Sequence, residues 1–557
     1  AAALDQWLEA STVAFLFMLS HLLESWSVSR ARRAIQSLME LSPSTARIQD
    51  HDGAEREIDT SDARIGDRII VKPGEKFPLD GHIIEGTTAV NQAPITGESA
   101  LVNKQVGDEV FAATINQDGA VVVDVTKEER DTVLAGVIRL VEQAQSQRSP
   151  SERFVDRFAR YYTPAVVVAA LLVCVVPSLL FGGEWGKWFY RALVMLVIAC
   201  PCALVISTPV SIVSALASAA RNGVLIKGGE YLELIGSAKT VALDKTGTLT
   251  KGRPVVQEVI PLNGSSSESL LRTAAAIELR SGHPIGEAIV AHARAMDIDP
   301  PPCDDYQALH GRGARADVDR VSYLVGNHRL LEENGLCTED VHRLMIEHED
   351  CDHIAVAVSS LEAPLGVVLL ADGLRAEASD AVAGLRRQGV ERIVMLTGDN
   401  AGTAKSIADQ CGGIEFRAEL LPADKVDAVA ELKSKGRRVV MVGDGINDAP
   451  ALAAADVGIA IGVGGTDAAL ETADIALMAD DLRKLPWLIA HSRRTRRIIT
   501  QNIGLSLAIK GVFLALAIPG LANLWLAILA DMGASLLVTF NGLRLLRPTD
   551  SHSRSRS

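Results

Sequence analysis

Long apolar runs alternate with mixed polar stretches along this chain, and the two kinds of stretch carry different periodicities. Five runs are long and apolar enough to cross a bilayer, which takes about 20 residues. They are residues 8–28, 162–181, 189–212, 500–519 and 521–543. Lys and Arg flank them unevenly. Arg30, Arg32 and Arg33 follow the first run, and Arg153, Arg157 and Arg160 precede the second. Arg221 and Lys227 follow the third; Arg493, Arg494, Arg496 and Arg497 precede the fourth; Arg544 and Arg547 follow the fifth. Residues 1–29 contain no Lys or Arg, and the loop 182–187 contains only Lys187. Positive charge stays on the cytosolic side, so residues 30–160, 213–498 and 544–557 are expected there.

The polar stretches read differently. Residues 45–135 alternate short Val/Ile-rich runs with turn signals such as Lys72-Pro-Gly74 and Asp80-Gly81, the pattern of a small β-rich domain. Residues 236–480 alternate strand-like runs (241–243, 393–396, 439–442) with amphipathic helical stretches, the βαβ signature of a parallel sheet. Residues 255–368 interrupt it as an inserted α+β domain, and the polar tail 551–557 is expected to be disordered. Composition agrees: 48% of the 557 residues are hydrophobic and 22% charged, a mixture that fits membrane spans between large polar domains. The net charge is −14 with no basic stripe, so nucleic acid is not an expected partner. The seven cysteines lack framework spacing and read as reduced thiols, with Cys200 and Cys202 set apart.

Candidate chemistry concentrates at the ends of apolar runs. Asp244-Lys-Thr-Gly-Thr-Leu-Thr250 follows the run 240–243. An Asp-Lys pair alone reads as a surface salt bridge. The whole heptapeptide instead supplies what phosphoryl transfer to a carboxylate requires. The Asp attacks, and backbone N–H groups and hydroxyls hold the phosphoryl oxygens. Thr397-Gly-Asp-Asn400 and Gly443-Asp-Gly-Ile-Asn-Asp448 also follow apolar runs, and Pro422-Ala-Asp-Lys425 adds a lysine. Each Gly-Asp pair alone is an ordinary turn. In an open parallel sheet, however, strand ends converge on one crevice, where carboxylates can hold Mg²⁺ through oxygen.

Within the third span stands Cys200-Pro-Cys202. Pro201 breaks the helical ladder and frees carbonyls. Paired cysteines are usually inert in a soluble core, but beside a proline inside a membrane they point to soft-metal ligation. Cys174 lacks such a setting and reads as packing. Lys510 and Asp531 lie inside the fourth and fifth spans. A charge at the centre of a span costs roughly 2.5–3.5 kcal/mol, so each needs a partner or a purpose. Snorkelling is the alternative, and both lie too deep for it to be easy.

Taken together these motifs resemble the heavy-metal-transporting P-type ATPases, from about residue 8 to residue 547. The heptapeptide is similar to their phosphorylation motif, which implies a haloacid-dehalogenase-like Rossmannoid domain with Asp244 phosphorylated by ATP. The resemblance implies Mg²⁺ at Asp244, Asp444 and the Thr246 carbonyl, phosphate contacts from Thr397, Gly398 and Lys425, and a supporting Asp448. Thr96-Gly-Glu-Ser99 is similar to the dephosphorylation motif of the actuator domain, which makes Glu98 the general base for a hydrolytic water. Ser281-Gly-His-Pro284 alone fits a helix cap before a proline. Beside the rest it resembles the nucleotide-binding domain, with His283 at adenine and Glu278, Gly311, Gly313, Gly326 and Asn327 completing an ATP pocket.

The implied architecture is multidomain α/β plus transmembrane helices. It divides into a first span with a cytosolic extension (1–34), a β-rich actuator (35–145) and a transmembrane hairpin (146–235). Next come the split phosphorylation domain (236–254 and 369–485) around a nucleotide-binding domain (255–368). A second hairpin (486–547) and a tail (548–557) complete the chain.

Asp531-Met-Gly-Ala resembles the ending of the zinc/cadmium/lead class, while the Tyr-Asn and Met-Ser-Ser patterns of copper pumps are lacking. That implies Cys200, Cys202 and Asp531 as ligands of Zn²⁺, Cd²⁺ or Pb²⁺, and Lys510 as a built-in counter-ion. His21 stands where the class often has a Glu on the exit route, a possible ligand that titrates near neutrality. The expected function is ATP-driven export of divalent soft metals by a monomeric pump in a bacterial plasma membrane, with its catalytic domains in the cytosol. A Cu(I) exporter and a non-pumping membrane-anchored phosphatase or metal-binding fragment are the alternatives. Upstream helices are expected to be missing, because five spans leave the N-terminus outside and the chain starts without Met.

Overall fold

A computed structural model describes residues 43–547, apart from 50–53, 97–100, 147, 310, 350–352, 435, 446–447 and 463–471, together with scattered positions between 11 and 29. Most of the expected first span, His21 included, and Glu98 of the actuator motif lie outside the described residues. The chain divides into two compact units. One comprises Ala1–Ala238, Gly462–Asp480 and Lys484–Ser557, and the other Lys239–Ile461 with Asp481–Arg483.

The first unit opens with β structure. A six-stranded antiparallel sheet runs in the order Glu55–Asp59, Thr45–Gln49, Arg68–Val71, Val121–Val125, Gly81–Glu85, Glu109–Val110. A three-stranded sheet of Leu101–Lys104, Thr88–Asn91 and Ile115–Asn116 accompanies it. Val121, Val123 and Val125 alternate into a core with Ile69, Val71, Phe77, Leu79 and Ile83, the period-two pattern of a half-buried strand. Gly74 adopts φ 82° in the turn after Lys72, which a glycine tolerates without strain. The expected turn at Asp80-Gly81 is not one, because Gly81 opens a strand. Asp80 is buried, and its carboxylate accepts from the backbone N–H groups of Ala112 (2.8 Å) and Val133 (2.8 Å). It ties the sheet to the helix that follows. An Asp-Gly pair carries no sign of this in sequence.

Among the described residues of this unit, four helical segments are long and apolar enough to cross a membrane. Pro150–Leu180 starts at a reciprocal cap: Ser149 Oγ accepts from Glu152 N (3.2 Å), and Glu152 Oε2 accepts from Ser149 N (2.7 Å). Its apolar residues Val167, Val168, Leu171 and Leu172 are exposed, a surface that a bilayer covers. Trp185–Ile198 and Cys202–Arg221 form one span interrupted at residues 199–201. Lys484–Ala517 and Leu524–Leu543 complete the set. Small residues let these helices approach: a Cβ at Gly542 would lie 2.8 Å from Ser211 Oγ. Buried Asn502 donates to Val538 O (3.0 Å) and accepts from Asn541 Nδ2 (2.8 Å), so its amide is satisfied within the helices.

The second unit is built on five parallel strands, ordered Val457–Ile461, Val439–Gly443, Thr240–Asp244, Arg392–Leu396, Glu415–Arg417. Thr240–Asp244 is buried at every position, which is why it reads as a continuous apolar run. An antiparallel six-stranded sheet is inserted after it, ordered Thr250–Pro261, Pro364–Leu374, Ile354–Ser360, Val321–Gly326, Gly313–Val318, Cys303–Leu309. Its strands serve two cores in alternation. Val325, Val356, Val358, Val368 and Leu370 face the helices Ser267–Glu278 and Pro284–Ala295. Leu324, Ala355, Ala357, Val367 and Leu369 face His328–Glu333 and Glu339–Glu349.

Candidate active site and transport site

Asp244 ends the central parallel strand, and the backbone leaves the sheet abruptly behind it. Gly247 takes φ 72°, a conformation that L side chains rarely adopt. The turn places Gly247 against Asp444, whose Cβ lies 3.6 Å from where a Cβ on Gly247 would stand. Lys425 Nζ donates to Asp244 Oδ1 (2.5 Å) and to Asp448 Oδ1 (2.8 Å). Asp444 and Asp448 flank the end of the neighbouring strand Val439–Gly443. Gly443 cannot carry a side chain, since a Cβ there would lie 2.7 Å from Asp448 Oδ2. Two strand ends and the helix Pro422–Ser434 thus gather Asp244, Asp444, Asp448 and Lys425 at one place, as the spacing of the motifs anticipates.

The cluster is short of positive charge. Burial pushes the Asp244 carboxyl up to about 7, the Asp448 and Asp444 charges add to this, and Lys425 pulls the other way. Lys245 does not share Asp244; its ammonium pairs with Asp399. Asp448 Oδ2 and Thr248 Oγ1 are buried without partners among the described residues. Hard oxygen donors with excess negative charge suit Mg²⁺, and an unpartnered buried hydroxyl suits a phosphoryl oxygen.

Thr397 is buried at the end of Arg392–Leu396, and its Oγ1 accepts from Asp399 N (3.1 Å). Gly398 packs against the Leu420 carbonyl, 3.3 Å from where its Cβ would be. One residue that the sequence reading passed over also serves this loop. Arg375, where the inserted sheet rejoins the parallel one, donates from Nε to Thr248 O (3.0 Å) and from Nη2 to Gly247 O (3.0 Å). Thr248 is one of the hydroxyls that the heptapeptide offers to phosphoryl oxygens, whereas a lone Arg after a strand carries no signal in the chain.

In the inserted domain, Glu278 is buried and its carboxyl is raised by that burial, with Ser281 and His283 opposing. His283, rather than Ser281, caps the helix Pro284–Ala295: its Nδ1 accepts from Ile285 N (3.3 Å), and Ser281 Oγ accepts from His283 N (3.2 Å). Gly286 lies against the Glu278 carboxylate. Asn327 Nδ2 donates to Gly311 O (3.0 Å). A Cβ on Gly313 would collide with the Val325 carbonyl, and one on Gly326 with the Arg312 carbonyl. Glu278 and His283 form one group, and Gly311, Gly313, Gly326 and Asn327 another.

In the first unit, the break at Pro201 leaves carbonyls without helical partners. Lys510 Nζ takes two of them, donating to Ile198 O (3.2 Å) and to Cys200 O. The same ammonium donates to Asp531 Oδ1 (3.0 Å). Lys510 is buried, and a small cavity bordered by Ile198, Lys510, Asp531 and Ala534 adjoins the pair. Cys200 and Cys202 lie at the same break, Cα atoms 5.6 Å apart, with their sulfurs paired as a disulfide. The chain therefore brings Cys200, Lys510 and Asp531 to one point inside the membrane helices, with Cys202 joined to Cys200. Metal ligation requires the reduced thiol pair. Cys174 packs beside Ala170, Ala192 and Met195.

A strand-end aspartate held by lysine, on a parallel sheet with an inserted domain, defines a haloacid-dehalogenase-like phosphoryl-transfer fold. A family model described as haloacid dehalogenase-like hydrolase matches residues 238–456, and one described as the P-type ATPase actuator domain matches residues 40–142. The chain is 47% identical over 557 residues to a "Probable cadmium-transporting ATPase" of Listeria monocytogenes, covering 99% of this chain and 78% of that protein. It is 44% identical over 542 residues to a "Zinc/cadmium/lead-transporting P-type ATPase" of Escherichia coli K12, covering 97% of this chain and 72% of that one. A crystal structure of a zinc-transporting PIB-type ATPase in the E2.Pi state matches with a TM-score of 0.66 and 43% identity, over 97% of this chain and 87% of that one. The chain belongs to the metal-transporting P-type ATPases. It is a membrane protein of the multidomain architecture that the motifs imply.

Proposed function

We propose that the chain exports divalent soft metal ions, of the kind Zn²⁺, Cd²⁺ and Pb²⁺, at the expense of ATP. The observation that carries the reading is the Lys510–Asp531 pair set against the Cys200-Pro-Cys202 break. Two thiolates, one carboxylate and a divalent ion sum to a charge of −1, which the Lys510 ammonium beside Asp531 brings to zero. Cu⁺ prefers sulfur and gains little from a carboxylate. Lys510 Nζ donates to Asp531 Oδ1 (3.0 Å), so its ammonium is placed to replace the departing cation.

In the catalytic half, Asp244 is the nucleophile. One carboxylate oxygen bonds to the γ-phosphorus of ATP, the bond from that phosphorus to the bridging oxygen breaks, and ADP leaves with the electron pair. Lys425 orients Asp244 and spreads positive charge toward the phosphoryl oxygens. Thr397, Gly398 and Thr248 offer donors to those oxygens. The residues fit Mg²⁺, which Asp244, Asp444 and the Thr246 carbonyl would hold; when bound it neutralises charge on the transferred group. Glu278, His283, Gly311, Gly313, Gly326 and Asn327 are assigned to the nucleotide. Hydrolysis of the phospho-aspartate is assigned to a water that Glu98 deprotonates, a role that rests on the Thr96-Gly-Glu-Ser99 motif.

A metal panel on the purified protein tests the reading. Zn²⁺, Cd²⁺ and Pb²⁺ should each stimulate ATP hydrolysis, Asp531→Ala should lose all three responses together, and Cu⁺ under reducing conditions should stimulate far less. Strong Cu⁺ stimulation with silent divalent ions would transfer the assignment to copper. Hydrolysis indifferent to every metal would make the protein a phosphatase.

A further inference from the structure

Far in sequence from Cys200 and Asp531, the inserted domain gathers three side chains with metal-ligating atoms. His328 Nε2 lies 3.2 Å from Cys337 Sγ and 2.9 Å from His342 Nδ1. All three ligand atoms fall within 4.8 Å of one another. A fourth group is at hand, since Glu332 Oε1 stands 3.7 Å from the same His328 nitrogen.

The geometry points to a binding site for a divalent ion of the zinc or cadmium kind at His328, Cys337 and His342, separate from the transport site. Two imidazoles and one thiolate are the mixed nitrogen–sulfur set that such ions select, and three protein ligands leave a position for Glu332 or water. With metal–nitrogen bonds of about 2.0–2.1 Å and a metal–sulfur bond of about 2.3 Å, ligand atoms around a tetrahedral ion stand roughly 3.3–3.6 Å apart. The His328–Cys337 and His328–His342 separations are a few tenths of an ångström shorter, so a small outward shift of His328 admits the ion.

The scaffold holds the three in place. His328 opens the helix His328–Glu333, whose Leu330 and Leu331 are buried in the core beneath. Cys337 follows Leu336 and packs on that same core, where the Leu336 N–H donates to Leu331 O (2.9 Å). His342 lies in the first turns of Glu339–Glu349, beside fully buried Val341, and its N–H donates to Thr338 O (2.8 Å). Three separate segments of backbone are therefore anchored by apolar burial while their polar ends converge. His342 is exposed and His328 and Cys337 half-buried, so an ion can enter from solvent without opening the fold. Hydrogen bonds among the three groups would account for the contacts as well, and the experiment separates the two.

The site is distinct from the thiols of the membrane half, so it is read in their absence. A full-length chain carrying Cys200→Ser and Cys202→Ser, reduced and stripped with chelator, is titrated with Zn²⁺ in competition with a chromophoric chelator. It should retain one zinc ion per chain. Adding Cys337→Ser or His342→Gln should remove that ion or weaken it by at least about tenfold, since losing a direct ligand costs no less than losing an outer partner of one. Because a variant could misfold, Co²⁺ supplies a second reading. The Cys200→Ser, Cys202→Ser chain should develop a sulfur-to-cobalt charge-transfer absorption, and His342→Gln, which keeps the thiol, should change its d–d bands. No zinc retained by the chain lacking Cys200 and Cys202, or retention untouched by Cys337→Ser and His342→Gln together, would overturn the site while leaving the transport assignment standing.

Discussion

Asp244 carries two opposing demands. As a nucleophile it must be ionised, yet it is buried beside Asp448 and Asp444 with Lys425 as its direct cationic partner. Its carboxyl is pushed up to about 7 from an unfolded value near 3.8. A carboxyl raised in the folded state binds more protons folded than unfolded, so it opposes folding as pH rises from about 4 to about 7. Each pH unit in that window is worth about 1.4 kcal/mol. Asp244→Asn removes the charge and leaves Lys425 paired with Asp448. In Mg²⁺-free buffer the variant should melt above the parent at pH 8, by something on the order of 1 kcal/mol or more. The gap should close as pH falls toward 5. The same variant should give no hydroxylamine-labile phosphoenzyme from labelled ATP, since an amide cannot accept the phosphoryl group. A melting gap that is constant from pH 5 to pH 8 would mean that Asp244 is charged throughout, and persistent labelling would place the nucleophile elsewhere.

Elements differ in how openly the chain declares them. Thr240–Asp244 and Val439–Gly443 are continuous apolar runs because both faces of a parallel strand are covered, and length alone separates them from helices. Pro201 announced the break in the third span, since a proline in a helix interior removes a hydrogen bond. That Lys510 would take the freed carbonyls as well as Asp531 was not legible, because a side chain four bonds long has many possible partners. Asp80 and Arg375 were hidden for a related reason: each acts by accepting from or donating to backbone groups, and backbone carries no sequence signature. Arg375 provides the test at this scale. Its guanidinium reaches two successive carbonyls of the turn behind Asp244, a fork that lysine cannot reproduce. Hydrogen bonds from charged groups are worth about 1.5–3 kcal/mol each. Arg375→Lys should therefore slow phosphoenzyme formation by about tenfold or more while nucleotide affinity stays within about twofold. An unchanged rate would show that the turn holds its shape through Gly247 and the strand alone.

At the scale of the molecule, the transport-site residues Cys200, Cys202, Lys510 and Asp531 and the nucleophile Asp244 reside in different compact units, each with its own core. The sequence made the two chemistries legible separately, through short motifs, and the architecture through the alternation of apolar spans with βαβ patterning. The communication between them has no motif, because it is a property of states rather than of residues. It can still be interrogated from one end. Cys200 and Cys202 are near enough to form a disulfide, and a disulfide offers no thiolate to a metal ion. Mild thiol oxidation of the metal-free protein should then abolish zinc-stimulated hydrolysis while leaving nucleotide binding intact, because Glu278 and His283 belong to the other unit. Dithiothreitol should restore turnover, and Zn²⁺ bound beforehand should protect against the oxidant. A Cys337→Ser background keeps the half-buried thiol of the inserted domain out of the reading. If the oxidised protein hydrolyses ATP at the full zinc-stimulated rate, the two sulfurs do not gate the cycle. If nucleotide binding is lost along with turnover, oxidation has reached the catalytic half as well, and the independence of the two units in binding their ligands fails.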